Sequence, residues 1–104
     1  MARSASILIP ASDVSLNIAA LAAVTASAIQ TIGKNRIFVI NADQDISIKF
    51  GMAGTLTAAT AASYRIPANQ QVTLDTGPAL DSFYVFNLNG TTAANVYIQL
   101  LSVV

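Results

Sequence analysis

The acidic residues are the first place to look for chemistry. Asp43-Gln44-Asp45 sets two carboxylates close together, and hard cations take oxygen ligands. There is no glycine at the required offset and no closing glutamate, so this is not an EF-hand loop. A solvated hairpin turn accounts for the same residues. Asp75 and Asp81 flank Gly77-Pro78, and paired carboxylates hydrolyse glycosides, yet nothing around them points to a cleft or a raised pKa. Gly51-Met52-Ala53-Gly54 holds two glycines with no lysine after them, which excludes a phosphate loop. Serines are plentiful, but the chain has no histidine and no lysine placed as a base, so no triad can be built. Cysteine is absent too, which removes thiolate chemistry and disulfides. Asn89-Gly90-Thr91 matches a glycosylation acceptor, and it reads equally well as a plain β-turn. Tyr64, Tyr84 and Tyr97 could line a sugar-binding face. However, tryptophan is missing, and each tyrosine fits a strand pattern. The expectation is a protein that is not an enzyme, with no cofactor and no metal site.

The elements that carry these residues look like strands. Arg36–Ala42, RIFVINA, is an apolar β-branched run that stops at a polar, Asp-containing turn. Ile46–Gly51, ISIKFG, then alternates with a period of two, as a half-buried strand does. Together they read as a hairpin. Met52–Ala62 is small and weakly patterned, and we take it as a loop. Ala62–Pro67 is a strand closed by proline, Gln71–Asp75 alternates again, and Thr76–Asp81 is a loop by its Gly-Pro dipeptide. Phe83–Leu88 leads to Asn89-Gly90, a strong turn signal, and Asn95–Val104 returns. These last two strands are apolar on both faces. One face of a sandwich strand suffices for its own core, so the second face is covered either by loops or by another chain. Tyr84, Phe86, Tyr97 and Leu101 are the candidates for an interface.

Val14–Gly33 contains no charged residue, and three readings compete for it. A membrane span needs about 20 mostly apolar residues, but Ser15, Asn17, Thr25, Ser27, Gln30 and Thr31 interrupt this one. An amphipathic helix has suitable apolar spacing, with Asp13 as a cap, but no charged outer face. The preferred reading is two strands, Val14–Ala19 and Ala23–Ile32, joined near Leu21. At the amino end, Ile7-Leu8-Ile9 before Pro10 is too short for the core of a secretory signal. It reads as a short extended arm over residues 1–12, or as a first strand at Ile7–Ile9, ahead of a sandwich domain over 13–104. Ile7, Leu8 and Ile9 are candidates to dock on a neighbour.

Bulk composition bounds the function. Five cations balance five anions, so there is no basic field for nucleic acid, and direct nucleic-acid or membrane binding is not expected. Charged residues make up 10% of the chain and hydrophobic residues 54%, against about 25% charged in ordinary globular proteins. A small monomer would be short of polar cover, so part of the surface is expected to lie against other chains. The fold class expected is all-β: a single sandwich of seven to nine short strands, jelly-roll-like, with a short extended N-terminal arm.

The order RIFVINA, ISIKFG, an Ala/Thr-rich loop, YRIPANQQVTL and FYVFNLNGTTAANVYIQLL resembles small β-sandwich virion proteins of tailed bacteriophages. The matching features are Arg36 to Asn41, Phe50-Gly51, Pro67-Ala68 and Gly90-Thr91-Thr92-Ala93. The resemblance covers Val14 to the carboxyl end. The longer apolar start, ARSASILIP, departs from it. The resemblance implies a head decoration or cement protein on the outer surface of the capsid. Such a protein is commonly a homotrimer, binds the major capsid protein and brings no catalytic residues. Alternatives are a head–tail connector or fibre component, a carbohydrate-binding module, and a small membrane protein motivated by Val14–Gly33 alone.

Overall fold

A computed structural model describes residues 8–103, and over that range every regular element is a strand. The strands are β1 (Leu8–Leu21), β2 (Gln30–Thr31), β3 (Ile37–Ala42), β4 (Ile46–Gly51), β5 (Tyr64–Ile66), β6 (Val72–Asp75), β7 (Ser82–Asn87) and β8 (Ala94–Val103). They form two four-stranded antiparallel sheets, β1-β8-β3-β6 and β2-β7-β4-β5. The order has a simple origin. β4 pairs with β5, β3 with β6, β2 with β7 and β1 with β8, as in one long folded hairpin. Rolling that hairpin up brings β8 against β3 and β7 against β4. This is the eight-stranded jelly roll, so the expected sandwich class holds.

Alternation decides what faces inward. In β3, Phe38, Ile40 and Ala42 are buried, and in β8 Ala94, Val96, Ile98 and Leu100 are buried. Ile46, Ile48, Ile66, Phe83 and Val85 meet them from the second sheet. Phe38 and Phe83 stack with ring centroids 5.0 Å apart, and Phe50 tilts against both, at 6.0 and 5.8 Å. That aromatic cluster joins the two sheets within the core, towards the end of the roll where β3 and β7 begin.

Two strand boundaries differ from the sequence reading. Residues 8–21 form one strand, so Leu8 and Ile9, expected in an arm or a short first strand, are continuous with the strand expected over Val14–Ala19. Leu8, Ile9 and Pro10 pair with Val103, Ser102 and Leu101. The ladder then breaks: five steps along β1, from Pro10 to Ser15, match two steps along β8, from Leu101 to Gln99. Proline has no N–H to give the ladder, and the break in register begins at Pro10. The second difference is a correction. The strand expected over Ala23–Ile32 is only Gln30–Thr31, plus a single bridge from Ala26 to Phe86. Between them the chain bulges along β7, and the hydroxyl of Ser27 accepts the Val85 N–H at 3.1 Å in place of a backbone carbonyl. No helix forms across this run, and no helix among the described residues is long and apolar enough to cross a membrane.

The turn after β1 stores strain. Val24 has φ 53°, a left-handed backbone that costs an L-residue roughly 1–2 kcal/mol and suits a β-branched side chain least. The side chain is 57% exposed, so little packing rewards it. Val24→Gly is expected to stabilise the protein by about 1 kcal/mol, a rise in Tm of roughly 4–8 °C. Unchanged or lower thermal stability would refute this account.

Candidate functional site

The connections gather at the two ends of the roll. One end collects the turns around residues 22–25, 43–45, 67–71 and 88–93. Val24 N donates to Asn89 O, Leu88 N to Asp45 O, and Asn69 N to Ala42 O. The other end collects residues 32–36, 52–63 and 76–81, tied by Asp81 O, which accepts from both Ile32 N and Gly33 N. At that end Thr76 Oγ1 accepts from Arg36 N at 3.0 Å and donates to Gly33 O at 2.9 Å.

The carboxylates are spread over both ends and act as loop pins. Asp43 Oδ1 accepts from Asn95 N (2.8 Å), Asp45 Oδ1 from Ala68 N (2.8 Å), Asp75 Oδ1 from Gly77 N (2.7 Å) and Asp81 Oδ1 from Ala53 N (3.1 Å). Three of these amides belong to turns, where aspartate serves best, and the fourth, Asn95 N, lies at the start of β8. Among the described residues no group of three or more acidic, histidine or cysteine side chains comes together to hold a metal. Gly51-Met52-Ala53-Gly54 is a packing turn: a Cβ on Gly51 would come within 2.6 Å of Leu56 Cδ1. Asn89 is engaged through both its amide nitrogen and its amide oxygen. Its Nδ2 donates to Gln44 Oε1 at 2.7 Å, and its Oδ1 accepts from Thr91 N and Thr92 N.

Asp43 has a second bond, from Asn95 Nδ2 to Oδ2 at 3.0 Å. Donation from the Asn95 backbone, then from its side chain, holds the Asp43 carboxyl below its ordinary value of 3.8. A group depressed in the folded state stabilises above its unfolded pKa and loses that contribution as pH falls through the folded value. Stability is therefore expected to fall below about pH 3.8. Asp43→Asn should flatten this acid limb in denaturant melts run across pH 2–5. An identical pH profile in the variant would remove Asp43 from the account.

A small cleft of about 130 Å³ opens at the first end between Ile66, Pro67 and Leu88, with Asp45 and Arg65 on its lining. It has room for a single side chain and holds no constellation of reactive groups.

The interface candidates fall on opposite sides of the molecule. Tyr84 and Phe86 alternate with buried Phe83, Val85 and Asn87, so they lie on the outer face of the β2-β7-β4-β5 sheet, beside Lys49 and Ser47. The 52–63 loop folds over that face. Ser47 Oγ donates to Thr60 O at 2.7 Å, Lys49 Nζ to Thr57 Oγ1 at 2.6 Å, and Ala59 is buried. Tyr97 and Leu101 lie on the outer face of the other sheet. Ile7 lies outside the described residues, as do the side chains of Leu8 and Ile9. The three tyrosines do not meet on one surface, because Tyr97 is in one sheet and Tyr64 and Tyr84 are in the other.

The outer face around Tyr97 holds more than the sequence reading assigned to it. The ladder sets Ile37 beside Leu101, Val39 beside Gln99 and Asn41 beside Tyr97. These six outward positions on the two central strands carry no charge, and Tyr97 is 49% exposed. Ile37 and Val39 had a readable signal: RIFVINA is apolar at successive positions, as are the last two strands. Compared with protein-family models, curated proteins and solved structures, the chain matches none.

Proposed function

We propose that this chain is a structural component of a bacteriophage particle: a decoration, or cement, protein. In this reading it sits on the outer surface of the capsid as a homo-oligomer and bridges subunits of the major capsid protein. One observation carries the proposal, the uncharged outer face of β3 and β8 with Ile37, Val39, Tyr97 and Leu101. A central pair of strands that faced only water would be expected to carry charge. Burial of apolar area is worth about 25 cal/mol per Å², so a few hundred Å² per protomer supplies several kcal/mol before association costs. Repetition over a shell multiplies modest contacts. The jelly roll is compatible with capsid, lectin and enzyme roles alike. The fold therefore permits this reading without selecting it, and the resemblance in strand-and-turn order adds support for a virion component.

The test is binding of the purified protein to assembled shells, read by co-sedimentation. Saturation at hundreds of copies per particle is expected, with Tyr97→Asp and Leu101→Asp each weakening it at least tenfold while the β-sheet signal is kept. Saturation at a handful to a few dozen copies would instead favour a connector or fibre component. A monomer that binds no shell would overturn the particle reading. Glycan binding lost in Tyr84→Ala or Tyr97→Ala would replace it with a sugar-binding module.

A further inference from the structure

We infer that Asn89-Gly90 is a self-modification site gated by the fold: the Asn89 amide is hydrolysed to a carboxylate when the turn that holds it opens. The inference stands on the geometry of this turn and does not depend on the particle reading. The chemistry needs only water. The Gly90 backbone nitrogen gives up its proton and attacks Asn89 Cγ, so that a C–N bond forms and a five-membered imide closes. The Cγ–Nδ2 bond breaks, and Nδ2 leaves as ammonia, taking up the proton that Gly90 gave. Water then opens the imide at either carbonyl, which yields an aspartyl residue or an isoaspartyl link. Nothing is oxidised or reduced. Glycine has no side chain to crowd the attacking nitrogen, and Asn-Gly occurs once in the chain.

One reactant is open and the other is held. Gly90 is exposed, a Cβ built on it would meet nothing within 4 Å, and among the described residues its N–H has no acceptor. Water and base therefore reach the nucleophile. Asn89 Oδ1, by contrast, accepts from Thr92 N at 2.7 Å, Thr91 N at 2.8 Å and Thr91 Oγ1 at 3.3 Å, and Nδ2 donates to Gln44 Oε1 at 2.7 Å. The backbone is held as well. Asn89 N donates to Asn87 Oδ1 at 2.9 Å, and Asn89 O accepts from Val24 N at 3.2 Å. That last bond fixes the peptide unit whose nitrogen must attack. Hydrogen bonds to a carbonyl oxygen prefer its plane, whereas a nucleophile comes at the carbon from above that plane. Bonds to both Oδ1 and Nδ2 stop the amide from turning to present that face. Ring closure thus waits for local opening of the turn.

Gln44 is the long-range part of the lock. It lies 45 residues away along the chain, so it acts on the reaction only in the folded protein. Conversion adds a negative charge to a chain whose formal net charge is zero. The isoaspartyl form also lengthens the main chain by one carbon between Asn89 N and Thr92 O, the two backbone groups that the Asn87 side chain ties together. A converted chain therefore closes less well, and each conversion is a one-way record of an opening.

The test is incubation of the full chain in mildly alkaline buffer, folded or unfolded in guanidinium chloride, followed by peptide mass measurement and isoaspartate detection. The expected result is a gain of one mass unit at Asn89 that is at least tenfold slower in the folded protein. Gln44→Ala should raise the folded rate at least threefold and leave the unfolded rate alone. Gln44→Glu keeps an acceptor for Nδ2 and should stay near the parent, and Gly90→Ala should slow conversion in both states. The converted protein, separated by its extra charge, should melt below the parent. Equal folded and unfolded rates, a folded rate unmoved by Gln44→Ala, or Gln44→Glu as fast as Gln44→Ala would overturn the gate. Should Gln44→Ala fail to fold, the two rates of the unaltered chain decide alone.

Discussion

Phe83→Ala is expected to lower stability by about 3–5 kcal/mol, the range for removing a buried aromatic ring. Phe83 has no exposed surface, stacks on Phe38 and is flanked by Phe50. Phe38 belongs to one sheet, whereas Phe50 and Phe83 belong to the other. Removing the ring therefore opens the seam between layers and takes from Phe38 and Phe50 one of their two aromatic neighbours. Domains of this kind have about 5–15 kcal/mol in total, so the variant should lose most of its margin. At roughly 4–8 °C per kcal/mol, Tm should fall by more than about 12 °C. Phe83→Leu keeps most of the volume and should cost far less. Thermal melts followed by circular dichroism would decide it. A small loss in Phe83→Ala would mean that the core collapses to fill the space and that the cluster is not the seam.

Asn87→Ala should have the next largest effect, about 2–3 kcal/mol, although the residue is polar. Asn87 is fully buried at the end of β7. Its Nδ2 lies within bonding distance of Leu21 O (3.1 Å), Ala22 O (3.3 Å) and Thr92 O (2.9 Å). Two hydrogens serve three carbonyls, so one is shared. Its Oδ1 accepts from Asn89 N at 2.9 Å. One side chain thus ties the end of β1 to the turn before β8. Removing it leaves buried acceptors and a donor unmet, each worth about 1–3 kcal/mol, less where water can enter. Asn87→Asp is the sharper probe. It keeps an acceptor for Asn89 N but presents oxygen to three carbonyls, so it should be at least as damaging as alanine. Urea unfolding of both variants measures this, and an Asn87→Asp protein as stable as the parent would refute the donor role.

Much of the architecture was legible in the chain. The strands from residue 36 onward announce themselves through period-two alternation and punctuation by Asp, Gly and Pro, and their observed bounds lie within two residues of those expected. The irregular stretch after β1 was not legible. Its residues are small, and whether such a run makes a full ladder or a bulge is decided by what Ser27 Oγ offers Val85, a contact between positions far apart in sequence. Strand order was likewise out of reach, since local pattern carries no record of which edges meet. The chemistry-bearing residues were judged correctly as turn formers in outline, but their partners could not be read: nothing in Asp43 itself points to Asn95. The buried role of Asn87 was hidden because asparagine at a strand end looks like ordinary turn chemistry. The two-sided apolar pattern was visible in the last strands, and the ladder extended it to Ile37 and Val39.

The register that joins Leu8 to Val103 also sets a schedule for biosynthesis. β1 leaves the ribosome before the other described strands, and its partner β8 follows all of them. At roughly 5–20 residues per second, β1 waits for several seconds or more before β8 exists. Throughout that wait its uncharged half has no mate. Closing that pair joins segments far apart in sequence, the kind of distant contact that makes all-β proteins slow folders. Crowded synthesis, with many nascent copies side by side, is therefore when this protein is most exposed to mispairing. Shortening that interval should raise soluble yield without altering the finished fold.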